Sequence, residues 1–144
     1  VLLATASPSP SPPSPPSSPL LPPGTFTRTA DLRAAAQEFD ADATSAIAKY
    51  GPIANWGVSS ITSMNGLFRD LINFNADTSR WDTSGVTDMG YMFAGASAFN
   101  QPLSLDTSKV TTMAGMFTET KAFNQPLSFD TSSVTTVSQM FRKA

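Results

Sequence analysis

Two hydrophobic rhythms divide the chain. Leu32, Ala35, Ala36 and Phe39 fall at i, i+3, i+4 and i+7, which lines apolar side chains along one helical face. Thr29 stands where an N-cap is expected and Asp31 lies in the first turn, next to the positive end of the helix dipole. Asp40-Ala41-Asp42 interrupts the pattern, and a second set, Ala43, Ile47 and Tyr50, closes at Gly51-Pro52. Glycine followed by proline is a helix stop signal. The pattern predicts one broken helix or two short ones over 29–50, within a helical N-terminal cap spanning 25–55.

From Trp56 the rhythm itself repeats. Trp81 to Ser104 reads WDTSGVTDMGYMFAGASAFNQPLS and Leu105 to Ser128 reads LDTSKVTTMAGMFTETKAFNQPLS, both 24 residues long. Residues 129–144 begin another copy and 56–80 form a looser one of 25 residues. Within a copy, Val86, Met89, Met92, Phe93 and Ala96 are spaced by three and four, predicting a short helix or 3-10 segment capped by Thr87. Leu103 and Leu105 alternate with Ser104 and Asp106, which predicts a strand of four or five residues, repeated at Leu127 to Asp130. One strand and one helical turn cannot bury their own apolar face, so the copies must stack. The expected fold is an α/β repeat solenoid of about 3.5 coils (56–80, 81–104, 105–128, 129–144).

Stacking at roughly 4.8 Å would align equivalent side chains into ladders. Phe74, Phe99 and Phe123 form one row, and Phe68, Phe93, Phe117 and Phe141 another. Met64, Met89 and Met113, then Met92, Met116 and Met140, form two more. Asn75, Asn100 and Asn124 follow the first Phe row, where stacked amides can satisfy turn backbone groups in neighbouring copies.

Composition then separates the repeat from what precedes it. Nine of the twelve prolines lie between Pro8 and Pro23, in the run PSPSPPSPPSSPLLPP, where missing donors and fixed φ prevent helix or sheet. Residues 8–24 therefore read as a disordered, extended polyproline stalk, about 50 Å long at about 3.1 Å per residue. The Ser-Pro pattern resembles hydroxyproline-rich plant and algal wall glycoproteins. An unmodified linker and a PxxP ligand are the other readings, the last weakened by the lack of a flanking Arg or Lys. Residues 1–7, VLLATAS, read either as the remnant of a signal peptide or as an apolar tail.

The chain has no cysteine and no histidine. Disulfides, thiolate nucleophiles, zinc fingers and imidazole bases are therefore absent. A net charge of −2 without basic clusters argues against nucleic-acid binding. No run approaches the roughly 18 apolar residues of a membrane span.

The blocks VTxM, MF and FNQPLS recur in order, and the segment Tyr50-Gly51-Pro52-Ile53-Ala54-Asn55-Trp56 precedes them. This pattern resembles the BspA-like leucine-rich-repeat surface proteins, including the related 24-residue repeat of mycoplasma lipoproteins, over about 32–144. The resemblance implies a leucine-rich-repeat-like fold on secreted or cell-surface proteins used for adhesion and protein contact. The chain departs from ordinary leucine-rich repeats in placing Val, Met and Phe at most core positions. It also stops mid-copy at Ala144, so the expectation is that the native chain continues or that a partner covers that end.

Candidate chemistry is weighed against simpler roles. The six methionines could offer thioethers to a soft metal, but their repeat-locked spacing marks core filling. Trp56 and Trp81 could stack on a sugar, yet Leu105 and Phe129 occupy the same position, so apolar bulk is the requirement. Asp82, Asp106 and Asp130 recur on the outer side of the expected strands, where three like charges in a row repel. Each could accept bonds within its own Asp-Thr-Ser turn. A weak calcium site or a docking strip for a basic partner is the other reading, and Gly57 in the first copy limits its length. Equivalent aspartates do not provide the two differing carboxylates of a glycoside hydrolase.

These observations lead to a non-catalytic interaction and adhesion module with no cofactor and no resident metal, secreted or displayed at the cell surface. Its expected partner is a protein or a cell-surface or matrix component, met by Arg80, Asp82, Ser104, Asp106, Ser128 and Asp130. The alternative is a structural subunit packed permanently into an assembly, end to end through its uncapped last copy.

Overall fold

The computed structural model describes residues 9–10, 12–13 and 20–144. The readings of 1–7, and most of the stalk reading of 8–24, lie outside the described residues.

Two helices, α1 (Thr29–Ala41) and α2 (Ala43–Tyr50), are followed by a single 3-10 turn at Ile53–Asn55. Asp42 separates the helices: its extended backbone ends α1, and its carboxylate caps α2 by accepting from the Ser45 N–H at 3.2 Å. Thr29 is not a cap. Arg28 holds that position without a side-chain bond, and the Thr29 hydroxyl instead donates to the Ser63 carbonyl at 2.8 Å. Leu32, Ala35 and Ala36 are buried as their spacing predicts, whereas α2 buries Ala46 and leaves Ile47 exposed.

The α/β solenoid expectation, with its leucine-rich-repeat strand and helix in each copy, is overturned. Among the described residues there are two α-helices and no strand or sheet, only isolated parallel bridges such as Ser63 to Asp88, Asp88 to Thr112 and Thr112 to Thr136. The copies stack as chains of turns. Met92, Ala94, Ala96 and Phe99 each donate a backbone N–H three residues back. The intervening Met89, Tyr91, Phe93 and Gly95 donate to Thr112, Ala114, Met116 and Thr118 of the next copy, at 2.8–3.0 Å. An α-helix needs every N–H to reach four residues back; here half of them leave for the neighbouring copy. Left-handed backbone at Tyr91 (φ 53°) and Gly95 (φ 73°) breaks the path twice more. The three-and-four spacing that suggests a helix comes from successive turns returning to the core.

The expected strand fails for a different reason. Leu103, Leu105 and Thr107 are buried while Ser104 and Asp106 are exposed, so the alternation is real. Its backbone nevertheless builds no ladder. Pro102 and Pro126 lack a donor, the Asn100 and Asn124 N–H groups bond to asparagine side chains, and threonine hydroxyls take the available carbonyls.

The core runs through the stack as rows of rings. Phe68, Phe93, Phe117 and Phe141 succeed one another with centroids 5.3, 5.6 and 5.5 Å apart, and Phe74, Phe99 and Phe123 at 5.9 Å. Met64, Met89, Met92, Met113 and Met116 are fully buried beside them. The asparagine row also exists: Asn100 N–H donates to Asn75 Oδ1 at 2.9 Å, and Asn124 N–H to Asn100 Oδ1 at 2.8 Å.

At the N-terminal end, α1 occupies the place of a preceding copy. The Thr29 hydroxyl and the Arg33 guanidinium, one helical turn apart, donate to the carbonyls of Ser63 and Asn65. In later copies the equivalent carbonyls, those of Asp88 and Gly90, accept backbone N–H groups from Met64 and Gly66.

Candidate functional site

The outer row is built from turns rather than from a sheet. Asp82 Oδ1 accepts the Ser84 N–H at 3.1 Å and the Ser84 hydroxyl at 2.6 Å. Asp106 does the same with Ser108 at 3.0 and 2.7 Å, and Asp130 accepts the Ser132 N–H at 2.9 Å. In all three, no hydrogen bond among the described residues falls on Oδ2. The serine bonds, hydroxyl first and backbone second, hold the three carboxyls below their usual range. Asp106 works against this at both neighbours, raising Asp82 and Asp130 by like-charge repulsion.

The threonine within each turn faces inward. Thr83 and Thr107 are buried and donate their hydroxyls across to the Asp106 and Asp130 carbonyls, both at 3.0 Å. Each Asp-Thr-Ser unit therefore presents a carboxylate outside and fastens the next copy inside. Its periodicity fixes the distance from one aspartate to the next.

Of the six residues expected in the site, the three aspartates form a row, and Ser104 and Ser128 are exposed in the extended stretches before Asp106 and Asp130. Arg80 is held elsewhere, its guanidinium donating to Asn55 Oδ1 in the 3-10 turn at 3.2 Å. Asp77 was missed. It makes the same turn with Ser79, at 2.8 Å, and its carboxyl is likewise lowered, first by the Ser79 hydroxyl. The tripeptide Asp77-Thr78-Ser79 was the available signal, five residues ahead of Asp82 and out of the 24-residue register.

Trp56 and Trp81 are buried, stacked at 6.3 Å, and donate their indole N–H groups to the Gly51 and Ile53 carbonyls. Neither offers a face to a sugar. No cluster of three acidic groups able to hold a metal ion occurs among the described residues, and none of their helices is long and apolar enough to cross a membrane.

The described copies share one pattern of turns, rings and asparagines, and that pattern matches a known family over residues 31–144, described as "Mycoplasma protein of unknown function, DUF285". The chain belongs to this DUF285 family. No curated protein and no solved structure matches it. The DUF285 match takes in α1 from Asp31 onward, α2 and every repeat copy, but not the proline-rich segment.

Proposed function

We propose that this DUF285 chain is a non-catalytic interaction and adhesion module, secreted or displayed at the cell surface. Its partner is a protein or a cell-surface or matrix component carrying basic groups. The observation that carries this reading is the row of Asp82, Asp106 and Asp130: ionised, exposed, fixed at Oδ1 by their own turns and open at Oδ2. Prepaid ordering of such a row lowers the entropy lost on binding. Ser104 and Ser128 flank it as exposed hydroxyls. The narrower likeness to BspA-like surface proteins, in the VTxM, MF and FNQPLS blocks, supports the surface location.

The test uses the full chain against intact cells and immobilised matrix proteins, beside a variant carrying D82N, D106N and D130N. Asparagine keeps the Oδ1 acceptor for each turn while removing the charge. Binding that falls with the triple variant and with added salt supports the reading; binding indifferent to both sinks it.

A second reading is favoured by the fourth copy. Val137 and Phe141 are each 53% exposed. The N–H groups of Val137, Gln139, Phe141 and Lys143 occupy the register that bonds outward in the earlier copies, and none is bonded among the described residues. A further copy of this repeat would fill that register, whether it stands in the same chain or in a second molecule, and the second case is a subunit packed end to end in an assembly. Sedimentation of the full chain as an oligomer that F141K dissociates would support it, and a monomer at all concentrations would remove it.

A further inference from the structure

A polar cleft of about 250 Å³ opens between α1 and the first repeat copy, lined by Arg33, Asn65, Gly66, Arg69 and Asp70. None of these belongs to the aspartate row. Its floor is Gly66, in left-handed backbone at φ 60°. A Cβ there would lie 3.5 Å from Arg33 Nη2 and 3.8 Å from Arg69 Cβ, in ordinary contact with both side chains.

Both arginines are oriented before any ligand arrives. Arg33 spends one donor on the Asn65 carbonyl, and a guanidinium has five. Arg69 lies over the Tyr91 ring, 5.6 Å from its centroid. The Tyr91 ring in turn rests where a Cβ on Gly115 would otherwise be. The Asn65 amide is committed to the Asp88 carboxylate at 3.2 Å. The charged groups lining the cleft are two guanidinium cations and the Asp70 carboxylate, whose Oδ2 is 3.6 Å from Arg69 Nε, and the Asp88 carboxylate borders it behind Asn65.

We infer that this cleft binds a carboxylate group. Asp70 beside Arg69, and Asp88 behind Asn65, offset much of the guanidinium charge, so a monoanion is favoured over a dianionic phosphate. The planar guanidinium fork matches a planar carboxylate with two parallel hydrogen bonds. The cleft continues past Arg69 and Asp70 into a depression of about 190 Å³ lined by Tyr91, Gly95, Thr118 and Glu119. Glu119 there is paired with Lys143 at 3.3 Å and Asp70 with Arg69 at 3.6 Å, which leaves room for a carboxylate carried on an extended segment.

The test is a titration of the ¹⁵N-labelled full chain at low salt, following the Gly66 amide and the Nε–H signals of Arg33 and Arg69. The probes are a hexaglutamate peptide, a hexaglutamine peptide, glutarate and inorganic phosphate. The expected result is saturable movement of these three signals with hexaglutamate and none with hexaglutamine. Arg69→Gln, which disturbs no backbone hydrogen bond, weakens binding about tenfold, the loss of one charge-assisted hydrogen bond. Arg33→Lys, which keeps a donor for Asn65, weakens it less. Glutarate binding as tightly as the peptide identifies a small acid as the carboxylate source, and tighter peptide binding identifies a segment. Phosphate binding more tightly than either, shifts confined to Lys109 or Lys143, or an Arg69→Gln variant that titrates like the parent would each overturn the inference. Loss of the aspartate row in D82N/D106N/D130N leaves this titration unchanged, so the two sites fail independently.

Discussion

Gly115 shows how closely single residues are held between copies. Its φ of 61° lies in the left-handed region, and a Cβ would overlap the Tyr91 ring. Gly115→Ala is expected to lose about 1–2 kcal/mol for backbone conformation alone, plus the cost of displacing the ring. Chemical denaturation of G115A, Y91A and the double variant separates the two, since the ring cost vanishes in the Y91A background; additive losses would refute the contact. The buried threonines offer a second contrast. Thr107 donates its hydroxyl to the Asp130 carbonyl, whereas Thr78 Oγ1 is buried without a partner among the described residues. Thr107→Val should cost about 1 kcal/mol, and Thr78→Val should be neutral or stabilising, because it removes an unsatisfied polar atom. The aspartates set a pH dependence. Their folded carboxyls titrate below the unfolded value of about 3.9, so the unfolded chain binds more protons in the acid range. The stability they contribute is complete above about pH 5, declines as pH falls past the unfolded value, and is lost as pH falls through the folded values. Carboxyl titration by NMR should also show Asp82 and Asp130 dropping further in D106N, since Asp106 raises both; unchanged values would mean the three do not sense one another.

At the scale of elements, α1 acts as a lid whose side chains replace a missing copy. Thr29 and Arg33 give donors to Ser63 and Asn65, and Asp40 Oδ1 accepts the Asn73 N–H at 2.9 Å. Thr29→Val should cost about 1 kcal/mol, as the Ser63 carbonyl loses its donor in a half-buried setting. Hydrogen exchange should quicken in α1 and at Leu67 while leaving Val110 unchanged; uniform quickening would show that the lid does not act locally. The lid's apolar face was legible because Leu32, Ala35 and Ala36 obey a local rule of helical spacing. The ring and asparagine rows were legible because stacking follows from repetition alone. The helix and strand inside each copy were misread because their spacing is compatible with turns. The choice depends on where each N–H finds its acceptor, and those acceptors lie about 24 residues away. The outer row was legible as Asp-Thr-Ser, but Arg80 was not, since its partner Asn55 belongs to a different element. The cleft was invisible in the sequence: Arg33, Gly66 and Arg69 meet only because α1 folds back on the first copy.

Taken whole, the molecule is a nearly one-dimensional stack in which each copy touches its neighbours and little else, so stability should vary along its length. The second and third copies have partners on both sides, and Phe93 and Phe117 are fully buried. The first copy is covered by α1, while the fourth, among the described residues, has a neighbour on one side and an exposed Phe141. Phe93→Ala should therefore cost about 3–5 kcal/mol, as expected for a buried aromatic, and Phe141→Ala far less. Backbone exchange should rank in the same way. The amides of Tyr91, Phe93 and Gly95, bonded to the third copy at 2.8–2.9 Å, should be slowest. Those of Val137, Gln139, Phe141 and Lys143 should exchange at nearly the rate of an open chain. The measurement also bears on assembly, because a hydrogen bond to a second molecule would protect these four amides in proportion to concentration. Fast exchange at every concentration supports a separate binding module. Protection that grows as the protein is concentrated, together with a larger cost for Phe141→Ala, means that the row of rings continues into another molecule.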